Sequence, residues 1–188
     1  NIGALMHHLG SLKPGEEKRI ITQLGQCADI MKEKALIDAY RQEKKVDEAF
    51  AQLAAFWEDY LSHFVVSTPD ENFNTMVNIH NPRQCYITKN WSRYLSLYQL
   101  GLGSRGIGFR DSSQDVLGIL GNMPEEGREL IELLLQTQLR AGNAMHQFNP
   151  ATMVAEAGDS KEMEDRPSYY GDDHLWIVLA VAAYIKET

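Results

Sequence analysis

The hydrophobic period changes near residue 29, and beyond it apolar residues recur at helical rather than strand spacing. Between 44 and 63, Val46, Phe50, Leu53, Trp57 and Leu61 form one stripe three or four residues apart, the signature of an amphipathic helix. No strand–helix–strand alternation follows, so nothing points to a parallel sheet. With 188 residues, 44% of them hydrophobic, the chain is long enough to bury one ordinary core. Only residues 1–26 read as strands. Ile20, Ile21 and Leu24 flank polar residues, Leu12-Lys13-Pro14-Gly15-Glu16 is a turn signal, and Ala4-Leu5-Met6 would pair across it as a hairpin. A lone hairpin is marginal in water, so it needs helices or further strands to pack on.

The helical part divides at its breakers. A weaker helix covers 29–41 with Ile30, Leu36 and Ile37, and Ser67-Thr68-Pro69-Asp70 ends the 44–63 helix. Phe73, Met76, Val77 and His80 predict a short helix stopping at Asn81-Pro82. Pro82 then opens another helix to about Leu100. After the glycine-rich segment 101–110, Asp111 or Ser112 is the expected cap of the next helix, with Ser112 and Asp115 at capping-box spacing. Pro124-Glu125-Glu126 opens a helix running to Ala141, where Gly142-Asn143 closes it. Residues 144–171 read as irregular. The last helix, 172–186, is apolar on nearly every side and is expected to be buried on most faces. The chain has no initiator Met and ends directly after this helix, and it reads as part of a larger one.

Charge and cysteine content exclude several functions. Eighteen basic against 26 acidic residues give a net charge of −8, which disfavours bulk binding to a phosphate backbone. No apolar run approaches the ~18 residues of a membrane span. Cys27 and Cys85 are too few for a disulfide framework or a thiolate zinc site. The six histidines include no pair at helical metal-ligand spacing with an acid beside it, so no metal is expected. A cytoplasmic setting is the expectation.

Candidate chemistry gathers after residue 90. Gly101, Gly103 and Gly106 read as G-x-G-x-x-G, but a dinucleotide fingerprint must leave a strand and open a helix, and this one leaves a helix. Two readings stay open: an interhelical loop, or a loop whose glycines let the backbone approach a ligand while Arg105 supplies charge. Arg93, Arg105 and Arg110 alternate with Asp111 and Asp115, which suits either internal ion pairing or recognition of an anion and sugar hydroxyls by guanidinium forks and carboxylates. Asp172 and Asp173 stand at a helix start, as dipole partners or as site residues, after the long segment 162–167. Aromatics such as Trp91, Tyr94, Phe109, Phe148 and Tyr170 supply core, with one or two available for a sugar face.

Four strings carry a resemblance. They are Asn78-Ile79-His80-Asn81-Pro82-Arg83-Gln84-Cys85 with Asn90-Trp91-Ser92-Arg93, then 105–115, then Ala144-Met145-His146-Gln147-Phe148-Asn149-Pro150, then Asp172-Asp173-His174-Leu175-Trp176. Together they resemble the inverting cellobiose and cellodextrin phosphorylases of glycoside hydrolase family 94. The resemblance implies a mainly α fold: residues 1–26 as the last strands of a β-sandwich, 27–70 as a helical linker, and 71–188 as the first part of an (α/α)6 barrel. It also implies reversible phosphorolysis of a β-linked gluco-oligosaccharide, cellodextrin or cellobiose, to α-glucose 1-phosphate. No cofactor is implied, because inorganic phosphate is itself a substrate, and no nucleic acid or membrane partner; a homodimer is the expectation for the parent.

By the same resemblance Arg93 contacts the sugar at the −1 subsite, Arg105 contacts that sugar and the phosphate, and Asp111 accepts hydrogen bonds from the sugar hydroxyls. The family's general acid lies in a Trp-x-Asp motif. The Trp57-Glu58-Asp59 string falls in the linker helix, and Trp91 and Trp176 lack the aspartate, so the acid is expected beyond Thr188. Arg110, Gln114, Asp115, His146, Asp172 and Asp173 match motif positions without an assigned role. Two other readings remain: an inert helical carbohydrate-binding or interaction module, and the phosphorylase-like region of a cyclic glucan synthase.

Overall fold

A computed structural model describes residues 3–25, 27, 29–95, 106–156 and 170–188, and divides the chain into two units, Asn1–Phe56 and Trp57–Thr188. The first unit is held by local signals. Asp29 accepts a hydrogen bond from the Met31 amide at 2.9 Å and so caps helix α1 (Ile30–Ala39). Helix α2 (Glu43–Ser62) carries the expected apolar stripe. Within this unit Ile21, Ile30, Leu36, Val46 and Phe50 line an open apolar groove of about 910 Å3.

The strand pair expected over 1–26 does not form among residues 3–25. Apart from a turn closed by the Glu16 amide on the Lys13 carbonyl at 2.9 Å, no backbone-to-backbone hydrogen bond joins the described residues of the segment, and Leu5, Met6 and Leu24 are exposed. Two strands alone cannot bury a face, so their backbone gains little by pairing. The segment is tied instead by polar contacts: Arg19 forks onto Asp47 at 2.6 and 3.0 Å, and Gln23 donates to the Ile37 carbonyl at 2.9 Å.

The second unit begins with the aromatic end of α2. Trp57, Tyr60 and Tyr86 meet edge to face with ring centroids 5.1–5.7 Å apart, and the buried Tyr60 hydroxyl donates to the Pro82 carbonyl at 2.9 Å. Asp70 caps helix α3 (Glu71–Thr75) by accepting from the Asn72 and Phe73 amides. The helix expected to stop at Asn81-Pro82 runs on. A π-helical stretch, Met76–His80, leads into α4 (Asn81–Ile87), and a second, Thr88–Ser92, leads into α5 (Arg93–Leu95). Pro82 lacks an N–H, and its ring would strike the carbonyl four residues back in an α-helix. The wider turn, with the Asn81 amide on the Met76 carbonyl, relieves that clash without breaking the helix.

Helix α6 (Phe109–Ile119) is the centre of this unit. Its face Phe109, Ser112, Ser113, Val116 and Ile119 is buried, and it packs against α4, α7 (Pro124–Leu135) and α8 (Asp173–Glu187). Leu120, Leu130, Ile131, Leu134, Ile177 and Ala180 close the core around it. The cap expected at Asp111 or Ser112 is not used. The helix begins earlier, with Gly108 as its N-cap, Asp111 in its first turn and Ser112 buried. The reason is a small antiparallel sheet that sets the start: β1 (Ile107–Gly108), β2 (Gln147–Phe148) and β3 (Ala155–Glu156), with Ile107 opposite Phe148. Residues 144–156, read as irregular, thus supply two strands. Two-residue strands are too short to leave a period in the sequence.

Helix α7 ends at Leu135 rather than Ala141. Thr137 donates back to the Leu134 carbonyl, and Gln138 pairs with Ala144 across a turn that Gly142 closes. Helix α8 is buried along one stripe only, Asp173, Ile177 and Ala180, while Leu175, Val178, Leu179 and Ile185 are exposed. An apolar face of this kind is an association surface. We expect this chain by itself to bind an apolar dye and to associate as its concentration rises, and Val178→Lys with Leu179→Lys to suppress both. A monodisperse chain without dye binding would count against that expectation.

Candidate functional site

The first turn of α6 brings the expected residues together. Asp111 and Asp115 are four apart on one helix and share a face. Both turn to Arg93, the first residue of α5. Arg93 forks onto Asp115, Nε to Oδ2 at 2.7 Å and Nη2 to Oδ1 at 2.8 Å. Its Nη1 stands 3.6 Å from Asp111 Oδ1, an ion-pair contact beyond hydrogen-bond reach. The side chains of Arg93 and Asp115 are 12% and 7% exposed, and that of Asp111 is 35% exposed. Burial alone would lower the Arg93 pKa, but the Asp115 hydrogen bonds and the charges of Asp115 and Asp111 outweigh it and hold it raised. Arg93 is therefore a fixed cation with two nitrogens committed to Asp115 and one facing the partly open Asp111.

Two glycines make room for this turn. Gly106 adopts φ +78°, and a β-carbon there would lie 2.4 Å from the Phe148 carbonyl oxygen. The backbone thus passes against β2 where only glycine fits. At Gly108 an added β-carbon would meet Asp111 Oδ2 at 2.1 Å, so the Asp111 carboxylate folds back over the N-cap of its own helix.

On the other side of the turn, Arg110 Nη1 donates to both carboxylate oxygens of Asp172 at 2.9 and 3.0 Å, and its Nε lies 4.0 Å from Asp173 Oδ1. That contact raises the Arg110 pKa and lowers that of Asp172. Asp172, at the start of α8, makes no side-chain cap bond and pairs with Arg110. Asp173 is fully buried, and its Oδ2 is 3.0 Å from His146 Nδ1. The ring of Tyr170 lies 4.2 Å from that of His146. Sequence reasoning missed the His146–Asp173 pair, because 27 residues separate them and no spacing rule links them. The i, i+4 placement of Asp111 and Asp115 puts both on one helix face, but which of them Arg93, 22 residues from Asp115, would fork onto was not readable from spacing.

Arg105 lies outside the described residues, as do 101–104 of the glycine loop and the 162–167 segment. Gln114 is exposed on α6. Among the described residues no cluster of histidine, cysteine or acidic side chains could hold a metal ion, and no helix is long and apolar enough to cross a membrane. The second π-helical stretch seats Lys89, largely buried, in an ion pair with Glu126 of α7 just before Arg93.

A family model described as the glycosyl hydrolase 94 superfamily, catalytic domain, matches residues 56–188. The chain is similar to an N,N′-diacetylchitobiose phosphorylase of Vibrio proteolyticus, 30% identical over 97% of this chain and 24% of that protein. It is also similar to one of Vibrio furnissii, 31% identical over 99% of this chain and 25% of that protein. A third relative is the cyclic beta-(1,2)-glucan synthase NdvB of Rhizobium meliloti, 29% identical over 95% of this chain and 6% of that protein. The chain spans about a quarter of the length of the two phosphorylases.

Proposed function

The chain belongs to the glycosyl hydrolase 94 superfamily, and from that premise we propose that the protein carrying it cleaves β-linked sugars with inorganic phosphate, inverting the anomeric carbon and releasing an α-sugar 1-phosphate. The observation that carries this reading is the meeting of Arg93 and Asp111, 3.6 Å apart at the start of α6, within the matched residues. The two relatives named as phosphorylases support the reaction class. We read α3 to α8 as the first helices of an (α/α)6 barrel.

The chemistry assigns distinct tasks to these groups. Phosphate is already an anion, so its attack needs no general base, while one carboxylic acid must protonate the leaving oxygen. The Trp-x-Asp of Trp57-Glu58-Asp59 stands in α2, outside the four family strings, and we assign that acid to none of the residues of this sequence. Asp111 accepts hydrogen bonds from hydroxyls of the −1 sugar, and Arg93 Nη1 donates to the same sugar while Asp115 keeps its fork from turning. Arg105 spans that sugar and the phosphate, offsetting its charge in a protein that is itself acidic. For the donor sugar, the sequence motifs favour cellodextrin or cellobiose, and the relatives' names add N,N′-diacetylchitobiose. A second reading, the phosphorylase-like region of a cyclic glucan synthase, has the NdvB similarity in its favour.

The test is sugar 1-phosphate release by the full-length protein with phosphate and each of cellobiose, cellodextrins and N,N′-diacetylchitobiose. Release from none of them would overturn the phosphorylase reading. The 188 residues by themselves should release none. In the full-length protein, Arg105→Lys keeps the charge but loses the fork. Removing such a contact from a closed site costs ~2–4 kcal/mol of transition-state stabilisation, so kcat/KM should fall ~10²-fold or more, with weaker dependence on phosphate. Arg83→Lys is the control. Arg83 stacks over Trp57 at 5.5 Å, and a lysine keeps that cation.

A further inference from the structure

The His146–Asp173 pair is not explained by packing. Asp173 is fully buried, its Oδ1 has no hydrogen-bond partner among the described residues, and burial pushes its carboxyl pKa up. Apolar groups of the same volume often serve stability as well as a buried ion pair does, so packing gives no reason for this one. What the pair does is hold the start of α6. Phe109 is the first residue of that helix, and its amide is one of the orphan donors of a helix N-terminus. Gly108 has no side chain to cap it. The His146 carbonyl accepts that amide at 2.9 Å, while the His146 ring is held on Asp173 at 3.0 Å. The next residue, Arg110, is drawn to Asp172 and lies 4.0 Å from Asp173. The residue after it is Asp111.

We propose that His146 and Asp173 are positioning residues that set the Asp111 carboxylate for the sugar hydroxyls. This rests on the reading of Asp111 given above. His146 joins α6 to α8 through its main chain and its ring at once, so a shift at Asp173 reaches Asp111 through the Phe109 amide and the Arg110 guanidinium. Among the described residues the charged and titratable groups facing the pair include Arg110 on α6, Asp172 on α8 and the Tyr170 ring. None of them replaces the His146 carbonyl.

The experiment uses the full-length protein with Asp173→Asn, which keeps volume and removes charge. Small misplacements at a site cost up to ~10²-fold, and kcat/KM for the sugar is expected to fall ~10-fold or more while the KM for phosphate stays within ~3-fold. Combined with Asp111→Asn, the two losses should be far from additive, because one acts through the other. Additive losses, or an equal change in the phosphate KM, would overturn the proposal. If Asp173→Asn fails to fold, the same cycle is run with His146→Ala, and His146→Asn, which retains a donor near Nδ1, should restore most of the loss. A readout free of turnover is hydrogen exchange of peptides covering 106–113. Exchange there should quicken ~10-fold in the variant while 130–134 of α7 is unchanged. Unchanged exchange at 106–113 in a folded variant overturns the positioning role. A wild-type protein that exchanges as expected between variants but phosphorolyses no sugar overturns the function of Asp111 alone.

Discussion

Arg93→Met is expected to lower the folding stability of the chain by ~3–5 kcal/mol, the range for leaving a buried carboxylate without its cation. Asp115 is the group left behind: its side chain is 7% exposed, and both its oxygens are used by Arg93. Asp111 loses its ion-pair partner in the same step. The double variant Arg93→Met, Asp115→Leu should recover most of the loss, because two apolar side chains then fill the space without an unpaired charge. Arg93→Lys should fall between, keeping the charge and losing the fork. Urea unfolding of the parent, Arg93→Met, Asp115→Leu and the double variant gives the cycle directly. A single variant as stable as the parent would mean that water reaches Asp115 and that the fork is a surface pair worth little. In the full-length protein the double variant separates stability from function: it should fold and still be deprived of the sugar contact.

Gly106→Val is the second large effect. A left-handed backbone costs a side-chain residue ~1–2 kcal/mol. The added β-carbon would also sit 2.4 and 2.5 Å from the carbonyl oxygen and carbon of Phe148, which are main-chain atoms held in β2. The clash can be relieved only by moving β1 from β2, at a further ~1–3 kcal/mol. A loss of ~2–5 kcal/mol is expected in total. Movement of β1 also pulls the Phe109 amide from the His146 carbonyl, so the first turn of α6 should lose protection before the rest of the helix. Gly121→Ala is the control, since nothing lies within 4 Å of an added β-carbon there and its φ is not left-handed. A Gly106→Val chain melting with the parent would show that the β1–β2 approach is looser than described.

These predictions differ in how far the sequence could have supplied them. The helical class, the starts of α1, α2 and α7, and the family strings were legible because their causes are local: apolar spacing, and a Pro124 at the first position with Glu125 and Glu126 behind it. The residues of the proposed site, Arg93, Arg105 and Asp111, could be named from the sequence because each stands in a short string. The N-terminal strand pair was misread because a period of two over a few residues does not say what the strands would pair with. The passage through Pro82 was misread because a proline ends an α-helix locally, and only the following helical context makes a π-turn the lower-energy answer.

The sequence by itself determined the repeating pattern that makes this chain helical and the set of charged groups at its site. Tertiary structure decided which of those groups meet. Asp115, 22 residues from Arg93, takes the guanidinium fork, and Asp111 takes only its edge. His146 reaches Asp173 only because β2 lies beside β1 and α8 packs on α6. The three strands, two residues each, exist because neighbouring backbone needs hydrogen-bond partners, not because of any preference their residues carry. Periodicity and capping act over one or two helical turns and are written along the chain. Partner choice among buried charges is set by distance in space and by the cost of leaving any one unpaired, and neither quantity exists until the helices have packed.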